Sequence, residues 1–381
     1  MTKLSDIFRS YGQLYLIKYS KDILPSHKKA IRDISLCRTP AMGGSIYECK
    51  TCSRYHYAYH SCGNRNCNTC RNDKAEDWLE KNNNLLLPVS YFMVTFTLPE
   101  DLRMPARGNQ KLFYNLLFKC SAQSIAEFAS NPKHIGGKPG YLGILHTWSR
   151  TLSYHPHIHY IVTGGGLSGG KDKWINSNHK FLFPVKAVSV VFKSKFRDEL
   201  KKLNPQLFSQ IPPDTWTRKW VVNCIPVGSG LHAMKYLAQY VFRVAISNNR
   251  ILRHEGGYVT FKYQDSKTKS WKTMKLSTEE FIRRFLQHVL SRGFVKVRYY
   301  GLFAVKNRNL LNIVKELLGC NMTKKKTNKS IKTKPKTICC PKCGKEMRLI
   351  IITPRGRQYN KAPPFGNYLP LINQTEHPAV N

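Results

Sequence analysis

Paired cysteines constrain this chain more than any other feature of its sequence. The chain holds 12 cysteines, and six of them lie between positions 37 and 70. Two Cys-x-x-Cys pairs are present in this stretch, separated from each other by 14 residues. Each such pair presents two thiolates to one tetrahedral zinc ion, and two pairs complete a structural site. The spacing therefore predicts one structural zinc site with four ligands: Cys49, Cys52, Cys67 and Cys70.

Two further cysteines of this stretch are surplus to that site. Cys37 and Cys62 would either build a second site with a nearby histidine or replace one of the four predicted ligands, and both alternatives stay open. Basic side chains stand beside the cysteines, and two of them, Arg65 and Arg71, are candidates for contacting phosphates of a bound partner.

The C-terminal part of the chain has a different character. A stretch rich in Lys and Thr, typical of a solvated linker, runs from residue 323 to 337 and leads to the Cys340-Pro-Lys-Cys343 pair. No second pair follows, so either a zinc ion here would need Cys339 or a histidine such as His377, or the knuckle is vestigial. We expect residues 306–381 to form a basic linker and a tail with a partial knuckle.

The charge balance points to the partner. With 62 Lys and Arg against 22 Asp and Glu, the formal net charge is +40. Such a surface favours a polyanion, because neutralised phosphates release their counterions. The sequence has no apolar run long enough for a membrane span and no signal-peptide core at its start. We therefore expect a cytoplasmic protein that binds nucleic acid and no membrane.

Three histidines occupy alternate positions of a predicted strand. Residues 141–148 and 155–162 read as two strands of a hairpin joined by a short polar turn, and residues 91–98 read as a third strand. Period-two alternation places His157 and His159 on one face, and the turn brings His146 opposite His157. Three imidazoles would then bind one divalent ion and leave positions open for phosphate oxygen. His155 precedes Pro156 near the turn and ranks below these three.

A pair of tyrosines offers a nucleophile. Residues 232–243 are predicted to form a helix, on which Tyr236 and Tyr240 lie four residues apart and therefore on one face. A free phenol has a pKa of about 10, so a cation and basic side chains must favour the phenolate. Lys235 and Arg243 are the candidates for that role and for DNA binding.

Several of these segments together resemble one known family. The stretch HPHIHYIVTGGGL resembles the histidine-hydrophobe-histidine (HUH) motif of single-strand endonucleases, and the tyrosine pair resembles the two-tyrosine motif of rolling-circle transposases. The cysteine cluster and the stretches CRTPAMGG, STEEFIRRFLQHVLSRGF and VRYYG resemble prokaryotic insertion-sequence transposases that carry an N-terminal zinc-binding domain. The resemblance covers residues 20–305 in the same order.

This resemblance implies a specific chemistry. With Mg²⁺ or Mn²⁺ bound, one tyrosine would attack a phosphate of single-stranded DNA at an element end, leaving a 5′-phosphotyrosine and a free 3′-hydroxyl, and later join the strand to target DNA. Tyr240 is the preferred nucleophile and Tyr236 its partner. The third metal ligand stays open between His146 and Gln239. A nucleoid-associated location in a prokaryotic cytoplasm follows from the same likeness.

The predicted fold class is α+β: an antiparallel sheet with helices, like that of HUH endonucleases, preceded by a small zinc-binding domain. We expect the zinc-binding domain at residues 1–85, the nuclease domain at 86–305 and the tail at 306–381. Two other functions stay open. One is a replication initiator or relaxase that nicks DNA by the same chemistry, and the other is a non-catalytic, zinc-dependent DNA-binding protein.

Overall fold

Helices and antiparallel sheets make up the fold, so the α+β class is confirmed. The computed structural model describes residues 2–70, 73–229, 232, 241–242, 244–320 and 338–355. The chain divides into two compact units. The first, here the cysteine unit, contains Thr2–Cys70 and Lys324–Asn381, and the second, the histidine unit, contains Arg71–Thr323. Within the described residues, no helix is both long and apolar enough to cross a membrane.

The C-terminal segment, Lys324–Asn381, belongs to the cysteine unit. The sequence instead predicted a separate linker and tail at residues 306–381. The unit contains helices α1 (Leu4–Lys18) and α2 (Pro25–Leu36) and strands β1 (Gly44–Cys49), β2 (Arg54–Tyr59) and β13 (Arg348–Thr353). The strands form one antiparallel sheet in the order β13-β1-β2. The physical reason for the difference is the pairing of β1 with β13, whose backbone hydrogen bonds join residues 44–48 to residues 348–353.

The histidine unit contains the remaining elements. Its helices are α3 (Asp73–Asn82), α4 (Arg103–Gly108), α5 (Gln110–Ser130), α6 (Val185–Leu203), α7 (Pro205–Ser209), α8 (Asp214–Thr217), α9 (Thr278–Leu286) and α10 (Arg308–Leu317). Its strands are β3 (Ser90–Thr97), β4 (Gly140–Trp148), β5 (Tyr154–Thr163), β6 (Gly165–Leu167), β7 (Trp174–Asn176), β8 (Val222–Ser229), β9 (Ile251–Glu255), β10 (Tyr258–Gln264), β11 (Trp271–Ser277) and β12 (Val297–Gly301).

A five-stranded antiparallel sheet of order β12-β4-β5-β3-β8 lies at the centre of this unit. One face packs on α5 and α6, with residues such as Phe96, Phe118 and Phe192 buried between them. The other face is apolar along much of its length, where Ile144 and residues of α10 such as Leu311 are buried together. Because both faces carry buried side chains, the central strands read as nearly continuous apolar runs.

The three strands predicted for the central sheet are confirmed, and β4 and β5 form the predicted hairpin. In this hairpin His146 pairs directly with His157. Strand β3 pairs with the other edge of β5, so Thr97 lies beside His157 and Thr95 beside His159. Alternation along β5 buries Tyr154, Ile158 and Tyr160 on the opposite face and leaves the histidines half-buried.

A smaller sheet of order β11-β10-β9 follows in the chain, and helix α9 packs on it. Ser277 caps the start of α9, since its hydroxyl accepts a hydrogen bond of 3.2 Å from the Glu280 amide. The helix ends at Leu286, and Gly293 adopts a positive φ of 78° further along the chain. Phe261 of β10 and Phe281 of α9 lie 6.0 Å apart between their ring centroids.

Candidate metal and DNA-processing site

Three imidazoles converge on the central sheet. His146, His157 and His159 each offer one ring nitrogen, and these nitrogens all lie within 4.8 Å of one another. The geometry arises from two elementary rules of sheets. Cross-strand pairing places His146 opposite His157, and period-two alternation returns His159 to the same face two residues later. The structure thus brings together three of the four predicted metal ligands, whose role as ligands stays a prediction.

The rings are packed closely but differ in exposure. The ring centroids of His157 and His159 are 4.7 Å apart, and that of His146 lies 5.6 Å from the first and 5.1 Å from the second. The side chain of Trp148 stacks on His146 at 4.6 Å with an interplanar angle of 21°. This stacking leaves His146 only 2% exposed, whereas His157 and His159 are half-buried. The cluster therefore has a closed side and an open side.

Hydrogen bonds set the orientation of two rings. Nδ1 of His157 donates to the backbone carbonyl oxygen of His155 at 2.7 Å, because a carbonyl can only accept. A neutral His157 therefore carries its lone pair on Nε2. Nδ1 of His159 is hydrogen-bonded to the Thr95 hydroxyl at 3.0 Å. Such partners commonly orient metal-binding histidines and fix which nitrogen faces the ion.

His155 is on the same face of β5 but outside the three-histidine cluster. Its ring centroid lies 5.2 Å from that of His157. Burial, assisted by the nearby Arg103 guanidinium, lowers the pKa of His155 to about 4. The imidazole is therefore uncharged at neutral pH and adds no positive charge beside the cluster.

The predicted tyrosine helix lies largely outside the described residues. Tyr236, Tyr240, Gln239, Lys235 and Arg243 all fall there, as does Arg71 of the cysteine segment. Two described residues next to this segment, Val241 and Phe242, show where the neighbouring chain packs. Val241 is buried in the apolar cluster that also contains Ile144, and the Phe242 ring lies 6.2 Å from the Trp78 ring. Ile144 pairs with His159, so the chain next to Tyr240 packs on the histidine-bearing face of the sheet.

The first cysteine cluster differs from the predicted one. Its four sulfur atoms belong to Cys37, Cys62, Cys67 and Cys70, and all lie within 4.8 Å of one another. The two Cys-x-x-Cys pairs predicted to share one ion lie in different clusters. The reason is strand β2, whose six residues span roughly 20 Å between the turn that carries Cys52 and the loop that begins near Cys62.

Spacing between the sulfur atoms fits a zinc ion. Sγ of Cys37 lies 3.4 Å from that of Cys70 and 3.7 Å from that of Cys67, and Cys62 is 3.6 Å from Cys70. Four ligands at the usual zinc–sulfur distance of about 2.3 Å stand about 3.8 Å apart at the corners of a tetrahedron. These separations are also much longer than a disulfide bond of about 2.05 Å. The residues present therefore fit structural zinc.

The four thiols of this cluster differ in their pKa values, two of which are lowered and two raised. Hydrogen bonds from Cys62 and Cys67 lower the pKa of Cys37 to about 7, and those from the neighbouring thiols also lower the pKa of Cys70. The pKa of Cys62 is raised, mainly because its thiol donates to Cys37. Four thiolates this close repel one another, so all four ionise together only with a cation between them. Arg65, a predicted DNA contact, lies half-buried on the same loop, where burial lowers the pKa of its guanidinium.

The second cysteine cluster joins distant parts of the sequence. Cys49 and Cys52 lie with Cys340 and Cys343, and their sulfur atoms are within 4.8 Å of one another. The prediction that the C-terminal pair must borrow Cys339 or His377 is thus corrected for Cys339, which is exposed and outside the cluster, while His377 lies outside the described residues. Sequence spacing missed this cluster because no local pattern indicates that β13 pairs with β1.

Two residues that support the histidine cluster were also missed. Thr95 and Trp148 contact His159 and His146 respectively. The sequence does contain a signal for Thr95. The segment Thr95-Phe96-Thr97 alternates polar and apolar residues, which predicts a strand with both threonines on one face. For Trp148 the signal is its place two residues after His146 in β4.

Comparisons with known proteins agree with this arrangement. Residues 140–310 match a family described as "Putative transposase", and residues 7–98 match a family described as "Transposase zinc-binding domain". The first match contains all three clustered histidines, and the second contains the six N-terminal cysteines. No solved structure matches the chain.

Two curated relatives are similar over most of their length. The chain is 36% identical to "Putative transposase y4qJ" from Sinorhizobium fredii over 84% of this chain and 85% of that protein. It is 28% identical to "Transposase for insertion sequence element IS801" from Pseudomonas savastanoi pv. phaseolicola over 70% of this chain and 68% of that protein. The chain therefore belongs to the family of insertion-sequence transposases in which a transposase zinc-binding domain precedes the transposase domain.

Proposed function

We propose that this transposase nicks and rejoins single-stranded DNA through a tyrosine, moving its insertion sequence by a rolling-circle-like route. The observation that carries the proposal is the cluster of three histidine nitrogens within 4.8 Å on one face of the central sheet. The relative named as the transposase of an insertion sequence supports the biological role. Substrates would be single-stranded DNA of the element ends and target DNA.

The histidine cluster is suited to a catalytic divalent ion such as Mg²⁺ or Mn²⁺. When bound, the ion would polarise the scissile phosphate and offset its negative charge. His157 and His159 would bind through Nε2, and His146 would supply the third nitrogen in preference to Gln239. The half-buried rings of His157 and His159 leave the open side of the cluster for phosphate oxygens, while Trp148 closes the other side.

Tyr240 would act as the nucleophile, with Tyr236 as the second phenol. The phenolic oxygen forms a bond to phosphorus while the bond from phosphorus to the 3′-oxygen breaks, and the phenolic proton ends on the released 3′-hydroxyl. The buried neighbour Val241 supports this assignment, because it anchors the chain next to Tyr240 on the histidine face. Lys235 and Arg243 would favour the phenolate and contact phosphates. A second phenol allows a second strand to be cut while the first is held.

A basic and aromatic surface in the same unit suits unpaired DNA. On one face of β10 and β11, the rings of Tyr258 and Trp271 are 46% and 61% exposed. Nζ of Lys275 lies 4.6 Å from the Tyr258 ring centroid, and Nζ of Lys262 lies 5.3 Å from that of Trp271. Exposed rings stack on bases of any sequence, and the adjacent ammonium groups attract the phosphates. We name this surface the aromatic ribbon.

A covalent-adduct assay tests the proposal. The full-length protein with Mn²⁺ or Mg²⁺ is incubated with labelled single-stranded oligonucleotides from the element ends and resolved on a denaturing gel. Wild type is compared with Tyr236→Phe, Tyr240→Phe, the double mutant and His157→Ala combined with His159→Ala. His155→Ala is the matched control, since His155 shares strand and face with these residues but lies outside the cluster.

A metal-dependent adduct should form in wild type and in His155→Ala, and should be lost in the double tyrosine and double histidine variants. The single tyrosine variants then rank the two phenols. Absence of any adduct, with zinc-dependent DNA binding preserved, would refute the catalytic proposal and favour a non-catalytic binding protein. Nicking of one strand without joining to target DNA would instead favour a replication initiator or relaxase.

A further inference from the structure

The cluster of Cys49, Cys52, Cys340 and Cys343 lies partly outside the segment that matches the zinc-binding domain, which ends at residue 98. Sγ of Cys49 and Sγ of Cys343 are 3.5 Å apart, although 294 positions separate them in sequence. That distance suits two ligands of one tetrahedral zinc ion and is too long for a disulfide bond. The Cys49 and Cys340 side chains are buried, beside the apolar Met347.

The two cysteine pairs have the same local geometry. Each pair occupies a tight turn that is followed by a residue in the left-handed region, Ser53 with a φ of 48° and Gly344 with a φ of 70°. In the C-terminal turn the Gly344 amide donates to the Cys340 carbonyl oxygen at 2.8 Å, and the Cys340 amide donates to the Lys345 carbonyl oxygen at 2.8 Å. Two such knuckles facing each other form the ligand set of a Cys₄ zinc site.

Strand pairing fixes the two knuckles in register. Glu48, next to Cys49, pairs with Arg348 across β1 and β13, and an ion pair of 3.3 Å joins their side chains. At the far end of the pair the Gly44 amide donates to the Thr353 hydroxyl at 2.8 Å. Gly43, with a φ of 69°, admits this close approach, since a Cβ there would collide with the Thr353 carbonyl oxygen.

A buried carboxylate holds the end of the same segment. Asp33 of α2 is 1% exposed and pairs with Arg355, just beyond β13, at 3.1 Å. It also accepts hydrogen bonds from Lys29 at 2.6 Å and from Asn64, in the loop of the first cysteine cluster, at 3.0 Å. Burial acts to raise the pKa of Asp33, but these hydrogen bonds outweigh it and lower the pKa. The C-terminal segment is therefore tied to both α2 and the cysteine loop.

We propose that Cys49, Cys52, Cys340 and Cys343 bind a second structural zinc ion, which clamps the C-terminal segment to the N-terminal part of the cysteine unit. The transposase then contains two zinc ions, one held wholly by residues 37–70 and one shared between the two ends of the chain. The C-terminal knuckle is thus a structural part of the zinc-binding domain. Its binding free energy contributes to the folding of that unit.

Zinc stoichiometry of the full-length protein tests this proposal. Metal content per chain is measured by mass spectrometry after dialysis, for wild type and for Cys340→Ser combined with Cys343→Ser. The matched control is Cys339→Ser, which removes the exposed cysteine next to Cys340 and leaves the cluster complete. A conservative variant, Cys343→His, retains a zinc ligand at the same position. If it keeps its zinc, the loss of zinc in the double serine variant comes from the missing ligands and not from misfolding.

We expect two zinc ions per chain in wild type and in Cys339→Ser, one in the double serine variant, and two again in Cys343→His. Replacing Cys62 and Cys67 by serine should also remove one ion but leave the second bound. Cobalt substitution provides a second readout, because the tetrahedral cobalt–thiolate absorption should fall to half its wild-type value in the double serine variant. One zinc ion in wild type, or an unchanged content in the double serine variant, would overturn the proposal.

Discussion

His288 should make the histidine unit acid-sensitive. Its imidazole is 4% exposed, and its Nε2 donates to the Leu152 carbonyl oxygen at 3.1 Å. Its Nδ1 therefore accepts from the Thr147 hydroxyl, 3.2 Å away, and the ring lies 6.0 Å from the Trp148 ring that covers the histidine cluster. Both hydrogen bonds fit the neutral imidazole, and burial lowers its pKa from 6.5 to about 4.

The size of the effect follows from proton linkage. Between pH 6.5 and about 4 the unfolded chain holds a proton on His288 that the folded chain lacks. The free energy of unfolding is therefore fully retained above pH 6.5 and falls as the pH drops through this window. A difference of about 2.5 pH units at about 1.4 kcal/mol each amounts to about 3 kcal/mol. With a denaturant slope of about 1 to 3 kcal/mol per molar urea, the midpoint should fall by about 1 to 3 M.

Tryptophan fluorescence is the suitable probe, because all six tryptophans of the chain lie within Arg71–Thr323. Urea midpoints are measured from pH 7 to pH 4 for wild type, His288→Gln and His179→Gln, the last replacing an exposed histidine. The glutamine amide retains a donor toward Leu152 and cannot titrate in this range. The His288→Gln midpoint should change less with pH, and the control should follow wild type. Equal slopes in all three proteins would refute the reasoning.

Three further predictions concern single residues. Replacing Thr95 by valine removes the hydrogen bond to His159 and should weaken Mn²⁺ binding by about 10- to 100-fold in calorimetry, with the fold unchanged by circular dichroism. Trp271→Ala should weaken single-stranded DNA binding by about 1 to 3 kcal/mol, measured by fluorescence anisotropy. An unchanged affinity would exclude the aromatic ribbon as a binding surface for single-stranded DNA. Gly143→Ala should lower the urea midpoint by the equivalent of about 1 to 3 kcal/mol, because the new methyl group would overlap the Tyr160 ring; a midpoint equal to wild type would contradict this.

Local pattern predicted the histidine cluster but not the second cysteine cluster, and chain separation explains the difference. His146 and His157 lie on adjacent strands joined by a short turn, so alternation and a hairpin register suffice to bring them together. Cys52 and Cys67 were wrongly assigned to one ion because spacing alone ignores the strand between them. The partners of Cys49 and Cys52 come from a turn just before β13, where Cys343 lies 294 positions after Cys49, and the sequence contains no sign of where that strand pairs.

The place of β1 between β2 and β13 has a consequence for synthesis of the protein. At about 5 to 20 residues per second, a ribosome needs roughly 15 to 60 s to proceed from Cys49 to Cys343, which lie 294 positions apart. During this interval one edge of β1 has no strand to pair with, and its unpaired amides and carbonyls are a template for aggregation. The cysteine unit thus begins to leave the ribosome before the histidine unit and is completed after it, and a prematurely terminated transposase retains an open sheet edge that cellular proteases and chaperones can recognise.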